Sequence, residues 1–347
     1  MLRHILFTHT DLDGAGCRIL FDYIMRQRSL INGRDYIICN ADISNLYATV
    51  TETINNFDCD SNTEIYFADI CCGDHLMKQL TEKFKKIHVY DHHKTNTWAN
   101  DFPGIDAYVY ETNSYGRLES GTSIMWRAHR DELLHPVIIA FTNAVRSYDN
   151  FEFKTVPNKN AVLLNKYFSM IGMEAFCNSY VSFLEDAVNH SYESYEAAEF
   201  SDVYNLYTSI DDHENITILH DIEYFIIESA LKVENDQIEK IINGEKKKSF
   251  SFEYTDNDGI SYIVFNTING ISMSSLAAAY LETHPEYDVF VWFDINRKGL
   301  SFRSISDDID VSEIAKRLGG GGHPKASGAM LNDHCINAIG IAVFENL

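Results

Sequence analysis

His9, Asp11 and Asp13 occupy alternate positions in Thr8-His9-Thr10-Asp11-Leu12-Asp13-Gly14, at the end of a short apolar run, Ile5–Thr8. In extended backbone a period of two turns all three side chains to one side. Two carboxylates held that close repel each other unless something positive lies between them. The same residues also spell an Asx turn and a helix cap, because Asp is a favoured N-cap. Two other apolar runs end in the same kind of residue: Glu64–Ala68 reaches Asp69, and Ile87–Tyr90 reaches Asp91-His92-His93. A single Asp at a strand end is usually a turn residue, but three such ends on one edge ask for another reason. Asp149 closes a long apolar helical stretch, Val137–Tyr148, where the helix dipole favours cations over a carboxylate.

Four carboxylates (Asp11, Asp13, Asp69, Asp149) and two imidazoles (His9, His92) suit two divalent ions, whose charge cancels that of the acids. Oxygen-rich ligation with some imidazole and no thiolate points to Mn²⁺ first and Mg²⁺ second, rather than to structural zinc. Two ions about 3.5–4 Å apart are the usual clamp for phosphoryl hydrolysis, polarising the phosphate and activating a water.

The elements that must position these residues are readable from the pattern. Strands are expected at Ile5–Thr8, Tyr36–Asn40, Glu64–Ile70, Ile87–Tyr90 and Ala107–Tyr110, with helices at Gly14–Arg28, Leu46–Phe57 and Asp74–Lys86. This alternation predicts an α/β fold: a parallel sheet with right-handed crossovers and helices on both faces. Ligands of such sheets bind beyond the carboxyl ends of the strands. From Pro157 to Gly244 the pattern is helical, polar and rich in Tyr, with a long helix at Asp221–Asn243 carrying Ile222, Phe225, Ile226, Ser229 and Val233 on one stripe, followed by the basic run Lys246–Lys248. At Ser249 a second, smaller α+β region begins. It has a hairpin around Asp256–Gly259, a helix Met273–Thr283, strands Asp288–Ile295 and Leu300–Ser306, and a capping box at Asp310-Val-Ser-Glu313 opening a helix with Val311, Ile314, Ala315 and Leu318 inward. The expected division is a catalytic domain at 1–190, a helical linker region at 191–248 and a substrate-binding domain at 249–347.

In the last region Gly319-Gly320-Gly321-Gly322-His323-Pro324-Lys325 follows a helix rather than a strand and lacks the G-K-[ST] ending, so it is not a P-loop. Open glycine amides with His323 and Lys325 beside them suit an anion. Arg303 and Ser304 stand in the preceding strand.

Composition narrows the function. The 347 residues carry 28 Lys+Arg and 51 Asp+Glu, a formal charge of −23. That opposes the basic footprint of a protein that coats long nucleic acid, but a metal site can still draw a small anion into one cleft. Seven cysteines without a C-x-x-C pair argue against disulfides or a structural zinc and for a reducing cytoplasm. No apolar run is long enough for a membrane span and no signal peptide is evident.

At these residues the chain resembles the DHH phosphoesterase superfamily, named for the triplet found here at Asp91-His92-His93. His9-x-Asp11-x-Asp13-Gly resembles the first motif of the family, Asp69 the second and Asp149 the fourth. Gly319-Gly-Gly-Gly-His323 is similar to the signature of the DHH-associated C-terminal domain. The resemblance implies that His9, Asp11 and Asp69 hold one metal and that Asp13, Asp69, His92 and Asp149 hold the other. By the same resemblance His93 contacts the scissile phosphate, Asp91 orients His92, and Arg303, Ser304, Gly320, Gly321, Gly322, His323 and Lys325 bind the nucleotide part. Within the superfamily the opening motif and compact size are most similar to nanoRNase B-type proteins. The function implied is hydrolysis of short single-stranded RNA or DNA oligonucleotides to mononucleotides, without long-duplex or membrane partners and with a homodimer left open. A cyclic mono- or dinucleotide phosphodiesterase and a degenerate DHH scaffold are the alternatives.

Overall fold

The computed structural model of the chain describes residues 2–156, 158–195, 218–219, 221–243, 251–266, 271–294 and 299–330. The Lys246–Lys248 run, positions 295–298 at the turn between two expected strands, much of the expected linker and the chain beyond Met330 lie outside the described residues. Two compact units emerge, Met1–Ile227 and Glu228–Leu347.

In the first unit β1 (His4–Thr8), β2 (Tyr36–Asn40), β3 (Glu64–Ala68), β4 (Lys86–Asp91) and β5 (Asp106–Val109) form a sheet in the order β2-β1-β3-β4-β5. Every pairing in it is parallel. Between the strands run α1 (Leu12–Gln27), α2 (Leu46–Asn56) and α3 (Asp74–Lys83), and after β5 come α4 (Gly121–Ala128), α5 (Pro136–Asp149) and α6 (Lys159–Tyr195). Ile5, Phe7, Ile65, Phe67, Ile87 and Val89 lie on one face, packed with Leu46 and Val50 of α2 and with Leu76, Met77 and Leu80 of α3. The alternate positions serve the other face. There Phe21 of α1 meets the rings of Tyr36 and Tyr66 edge-on, at 6.0 and 5.1 Å. With both faces covered the strands must be apolar throughout, and polar residues are pushed to their ends. Within α6, Gly172 takes φ +78° and ψ 168°, a break that an L residue would enter only with strain.

The second unit takes its first helix from α7 (Asp221–Ile242), then β6 (Ser251–Thr255), β7 (Ser261–Asn266), α8 (Met273–Thr283), β8 (Val289–Asp294), β9 (Gly299–Arg303), α9 (Val311–Arg317), β10 (Gly321–His323) and β11 (Ala326–Met330). Its sheet runs β10-β11-β9-β8-β7-β6 and is mixed, with β7 and β8 parallel. Phe290 and Trp292 face Leu276, Ala277, Tyr280 and Leu281 of α8, while Val289 and Val291 face Val311 and Ala315 of α9.

Two expectations fail here. On α7, Ile226 and Val233 are exposed, and the buried stripe is Ile227, Glu234, Ile238 and Ile241. Glu234 is buried because it accepts the Ser272 main-chain N–H at 2.5 Å. At the start of α9, Asp310 caps the N–H and hydroxyl of Ser312, at 2.8 and 2.6 Å. Glu313 pairs instead with Lys316, at 2.6 Å, and Leu318 is exposed.

Candidate metal centre

The extended stretch after β1 ends sooner than its alternation suggests. Asp11 is the N-cap of α1 and accepts the Gly14 N–H at 2.9 Å. Its other oxygen lies 2.8 Å from His9 Nδ1. Asp11 therefore caps a helix and also lies against His9, while Asp13 belongs to the helix rather than to the expected extended stretch. Asp13 sits in the first turn of α1, and its carboxylate is buried against the start of α4. There it accepts the N–H groups of Gly121 at 2.6 Å and Thr122 at 3.0 Å. The start of α4 is fixed by a capping box between Ser120 and Ser123, and its dipole favours the negative charge of Asp13. Nothing in the sequence reading singled out Gly121 or Thr122. Ser120-x-x-Ser123 before an apolar run was the available signal.

Asp69 follows β3 in the left-handed region, φ +57°, which is uncommon for a residue with a Cβ. Its N–H donates to the Tyr90 carbonyl at 2.9 Å. Gly121 packs on it so closely that a Cβ at 121 would stand 2.7 Å from that of Asp69. In this pose the two carboxylate oxygens of Asp69 diverge. Oδ1 lies 3.3 Å from His92 Nε2, and Oδ2 lies 3.8 Å from His9 Nδ1. His92 Nε2 is also 3.6 Å from Asp149 Oδ2 and 3.8 Å from Asp13 Oδ2. The groups whose potential ligand atoms lie within 4.8 Å of one another include His9-Asp11-Asp69 and Asp13-His92-Asp149.

The electrostatics of this cluster demand a counter-charge. Asp69 Oδ2 and Asp149 Oδ2 are buried and have no hydrogen-bond partner, a costly state for a carboxylate. Burial first, then the charges of Asp13 and Asp11, push the carboxyls of both Asp69 and Asp149 well above the usual range. Burial also drives the His92 imidazole toward its neutral form, with His93 adding to the effect. Neutral imidazole and unpartnered carboxylate oxygens are what divalent cations take, so the donor set fits such ions. Burial works against a charged His9, but the charge and hydrogen bond of Asp11, with Asp42 behind them, raise its pKa.

Asp91 is fully buried at the end of β4 and does a different job. Its Oδ1 accepts the main-chain N–H groups of His92 at 2.8 Å and His93 at 3.2 Å, and lies 2.7 Å from His93 Nδ1. Asn96 donates to its other oxygen at 2.6 Å. Asp91 thus fixes His92 through the backbone and His93 through the ring. Burial opposes protonation of His93, yet Asp91 overrides it and lifts the pKa to about 9.

In the second unit, Gly319 has φ +78°, and α9 closes with a Schellman motif in which the N–H groups of Gly319 and Gly320 donate to Lys316 and Ala315, at 2.9 and 2.8 Å. Those two amides are engaged, which revises the expected open run of four. Gly321, Gly322 and His323 form the edge strand β10, paired on one side with β11. Arg303 Nε donates to Ser274 at 3.2 Å, Ser304 donates to the Asp288 carbonyl at 2.9 Å, and Lys325 lies 2.8 Å from Asp307.

A parallel α/β unit with acids and imidazoles near its carboxyl edge, followed in sequence by a mixed-sheet unit with a glycine-rich edge strand, is similar in fold to solved DHH structures. Residues 257–344 match the DHHA1 domain. The chain is 25% identical over 336 residues to oligoribonuclease NrnB of Bacillus subtilis (strain 168), covering 94% of this chain and 73% of that protein. Among solved structures, exonuclease RecJ bound to manganese is similar with a TM-score of 0.50 at 15% identity, over 98% of this chain and 88% of that one. The DHH domain of a member of a ribosomal-protein family is similar with a TM-score of 0.52 at 13% identity, over 98% and 86%. These two likenesses concern the fold. Among the described residues no helix is long and apolar enough to cross a membrane.

Proposed function

We propose that this chain is a cytoplasmic two-metal phosphodiesterase that hydrolyses short single-stranded RNA or DNA oligonucleotides to mononucleotides. The observation that carries the reading is Asp69, whose two oxygens face histidines of two different ligand sets. His9, Asp11 and Asp69 would hold one ion and Asp13, Asp69, His92 and Asp149 the other, with Mn²⁺ preferred and Mg²⁺ the alternative. Such ions polarise a phosphoryl oxygen and lower the pKa of a bound water. The remaining work falls to the chain. Gly121 and Thr122 hold Asp13 against rotation. Asp91 keeps His93 protonated near neutral pH, so its Nε2 is a donor for an oxygen of the scissile phosphate, where negative charge grows in the transition state. Arg303, Ser304, His323, Lys325 and the glycines 320–322 are assigned to the nucleotide part. The oligoribonuclease relative supports RNA as a substrate. The charge of −23 supports short chains, since most of the surface repels a long polyphosphate.

The test is product analysis on 5′-labelled dinucleotides, longer oligomers and cyclic nucleotides with Mn²⁺, for the wild type and Asp69→Ala. Turnover is expected to be best from dinucleotides to about pentanucleotides, to fall steeply for long strands, and to vanish in Asp69→Ala. Full activity without metal or in Asp69→Ala would overturn the two-metal reading. Exclusive turnover of cyclic nucleotides would replace the substrate.

A further inference from the structure

The end of β2 and the turn after it lie beside His9, and Asn40 and Asp42 face it. Thr8 is in register with Asn40, and the Ala41 N–H donates to the Thr8 carbonyl at 2.9 Å. Asn40 Nδ2 donates to the main-chain carbonyl of His9 at 3.0 Å. Arg18 of α1 holds the other end of that amide, 2.7 Å from Asn40 Oδ1, and is itself gripped by both oxygens of Glu174, two residues past the break in α6. On the side-chain end, His9 Nδ1 faces Asp11 and Asp69, and the opposite ring nitrogen, Nε2, lies 3.6 Å from Asp42 Oδ1. Asp42 is exposed, but it is tied into its turn. Thr10 Oγ1 donates to its carboxylate, its N–H donates to Asn45 Oδ1 at 2.9 Å, and its carbonyl accepts the N–H groups of Asn45 and Leu46 at 3.0 and 2.9 Å.

We propose that Asp42 is a positioning residue for His9, aiming the imidazole so that Nδ1 is presented to the metal set of His9, Asp11 and Asp69. A ligating imidazole must be neutral, and ligation through Nδ1 leaves its one proton on Nε2, which is the atom Asp42 faces. A carboxylate in that place fixes the tautomer and the ring plane and makes the ligating nitrogen more basic. Asn40 fixes the backbone of the same residue. The fourth strand end of the edge therefore orients a ligand where the other three supply ligands. The proposal rests on the two-metal reading above.

The test is Mn²⁺ binding, followed by electron paramagnetic resonance and calorimetry on the full chain, with thermal unfolding of each variant alongside. Asp42→Ala is expected to weaken one of two sites by about 10- to 100-fold, the usual cost of losing a carboxylate behind a metal-bound histidine, and to leave the other site unchanged. Asp42→Asn, which keeps an acceptor toward Nε2, is expected to recover most of that loss. Thr10→Val removes the loop hydrogen bond but keeps the carboxylate, and is expected to stay within a few-fold of wild type. Two unchanged sites in Asp42→Ala overturn the proposal. So does an equal loss in Thr10→Val, which makes Asp42 a loop bolt, or an equal loss at both sites. If the wild type binds no Mn²⁺, the two-metal reading itself fails, a result distinct from any of these.

Discussion

The carboxyl edge of the first sheet and the glycine-rich edge of the second both hold residues suited to a phosphate substrate, but they are prepared in opposite ways. On the first, the acids are buried and short of donors: Asp69 and Asp149 each keep an oxygen without a hydrogen-bond donor. On the second, donors are consumed locally. Gly319 and Gly320 close a helix, Arg303 reaches Ser274, and Lys325 pairs with Asp307. The first edge stores a demand that a cation satisfies, and the second must exchange existing contacts to receive an anion. A site of the first kind decides whether chemistry occurs. One of the second kind is suited to adjusting how well a given substrate is held.

The largest effect that separates them is loss of a metal ligand. Asp13→Ala is expected to reduce hydrolysis of both a dinucleotide and bis-p-nitrophenyl phosphate to background, measured as kcat/KM with Mn²⁺. His323→Ala or Arg303→Ala is expected to lose about 10²-fold on the dinucleotide, a typical cost of a misplaced reacting group, and far less on the activated ester. Equal damage to both substrates would put the second edge in the bond-breaking step and erase the distinction.

Gly121 sharpens the comparison, because it has no functional group to lose. A methyl at 121 must push Asp69 or the start of α4, since its Cβ would lie 2.7 Å from the Asp69 Cβ. Gly121→Ala is expected to lower stability by about 1–3 kcal/mol, the range for overpacking, and to weaken Mn²⁺ binding with it. Thermal unfolding and metal titration check the two together. Unchanged Mn²⁺ affinity would mean that the pose of Asp69 is not what prepares the first edge.

The smallest effect expected lies away from both edges. His88 stacks on Tyr66 at 4.7 Å in the first sheet, and burial lowers its pKa despite Asp106 and Glu64 nearby. A histidine that is harder to protonate folded than unfolded contributes stability above the unfolded pKa near 6.5, and that contribution is lost as pH falls through the folded value. The wild type should therefore lose more Tm than His88→Phe between pH 7.5 and 5.5. Parallel curves would show that this face is insensitive to protonation, leaving the carboxyl edge as the titrating part of the unit.

Much of this was legible because parallel strands covered on both faces are apolar runs, so an acid marks the strand end. Asp69, Asp91 and His92 stand out for that reason, and Asp149 does so by closing an apolar helix. Helices α2 and α3 and the hairpin at Asp256–Gly259 follow from periodicity and turn chemistry. What the pattern hid has physical causes. Alternation cannot show that the chain turns into α1 at Leu12, bringing Asp13 to the amides of α4. On α7 adjacent apolar residues, Ile226 and Ile227, allow two stripes, and packing chose the one through Glu234. Asn40-Ala-Asp42 resembles an ordinary turn until the strand register places it against His9. The glycine run looks open until the end of α9 claims two of its amides.

Burying Asp69 and Asp149 beside other acids has one more consequence. With their carboxyls held above the usual range, these two acids hold protons more tightly than ordinary carboxyls do, and cation binding must displace those protons. Mn²⁺ binding should then acidify an unbuffered solution. Its apparent enthalpy should shift in proportion to the ionisation heat of whichever buffer collects the released protons, and the slope of that line counts them.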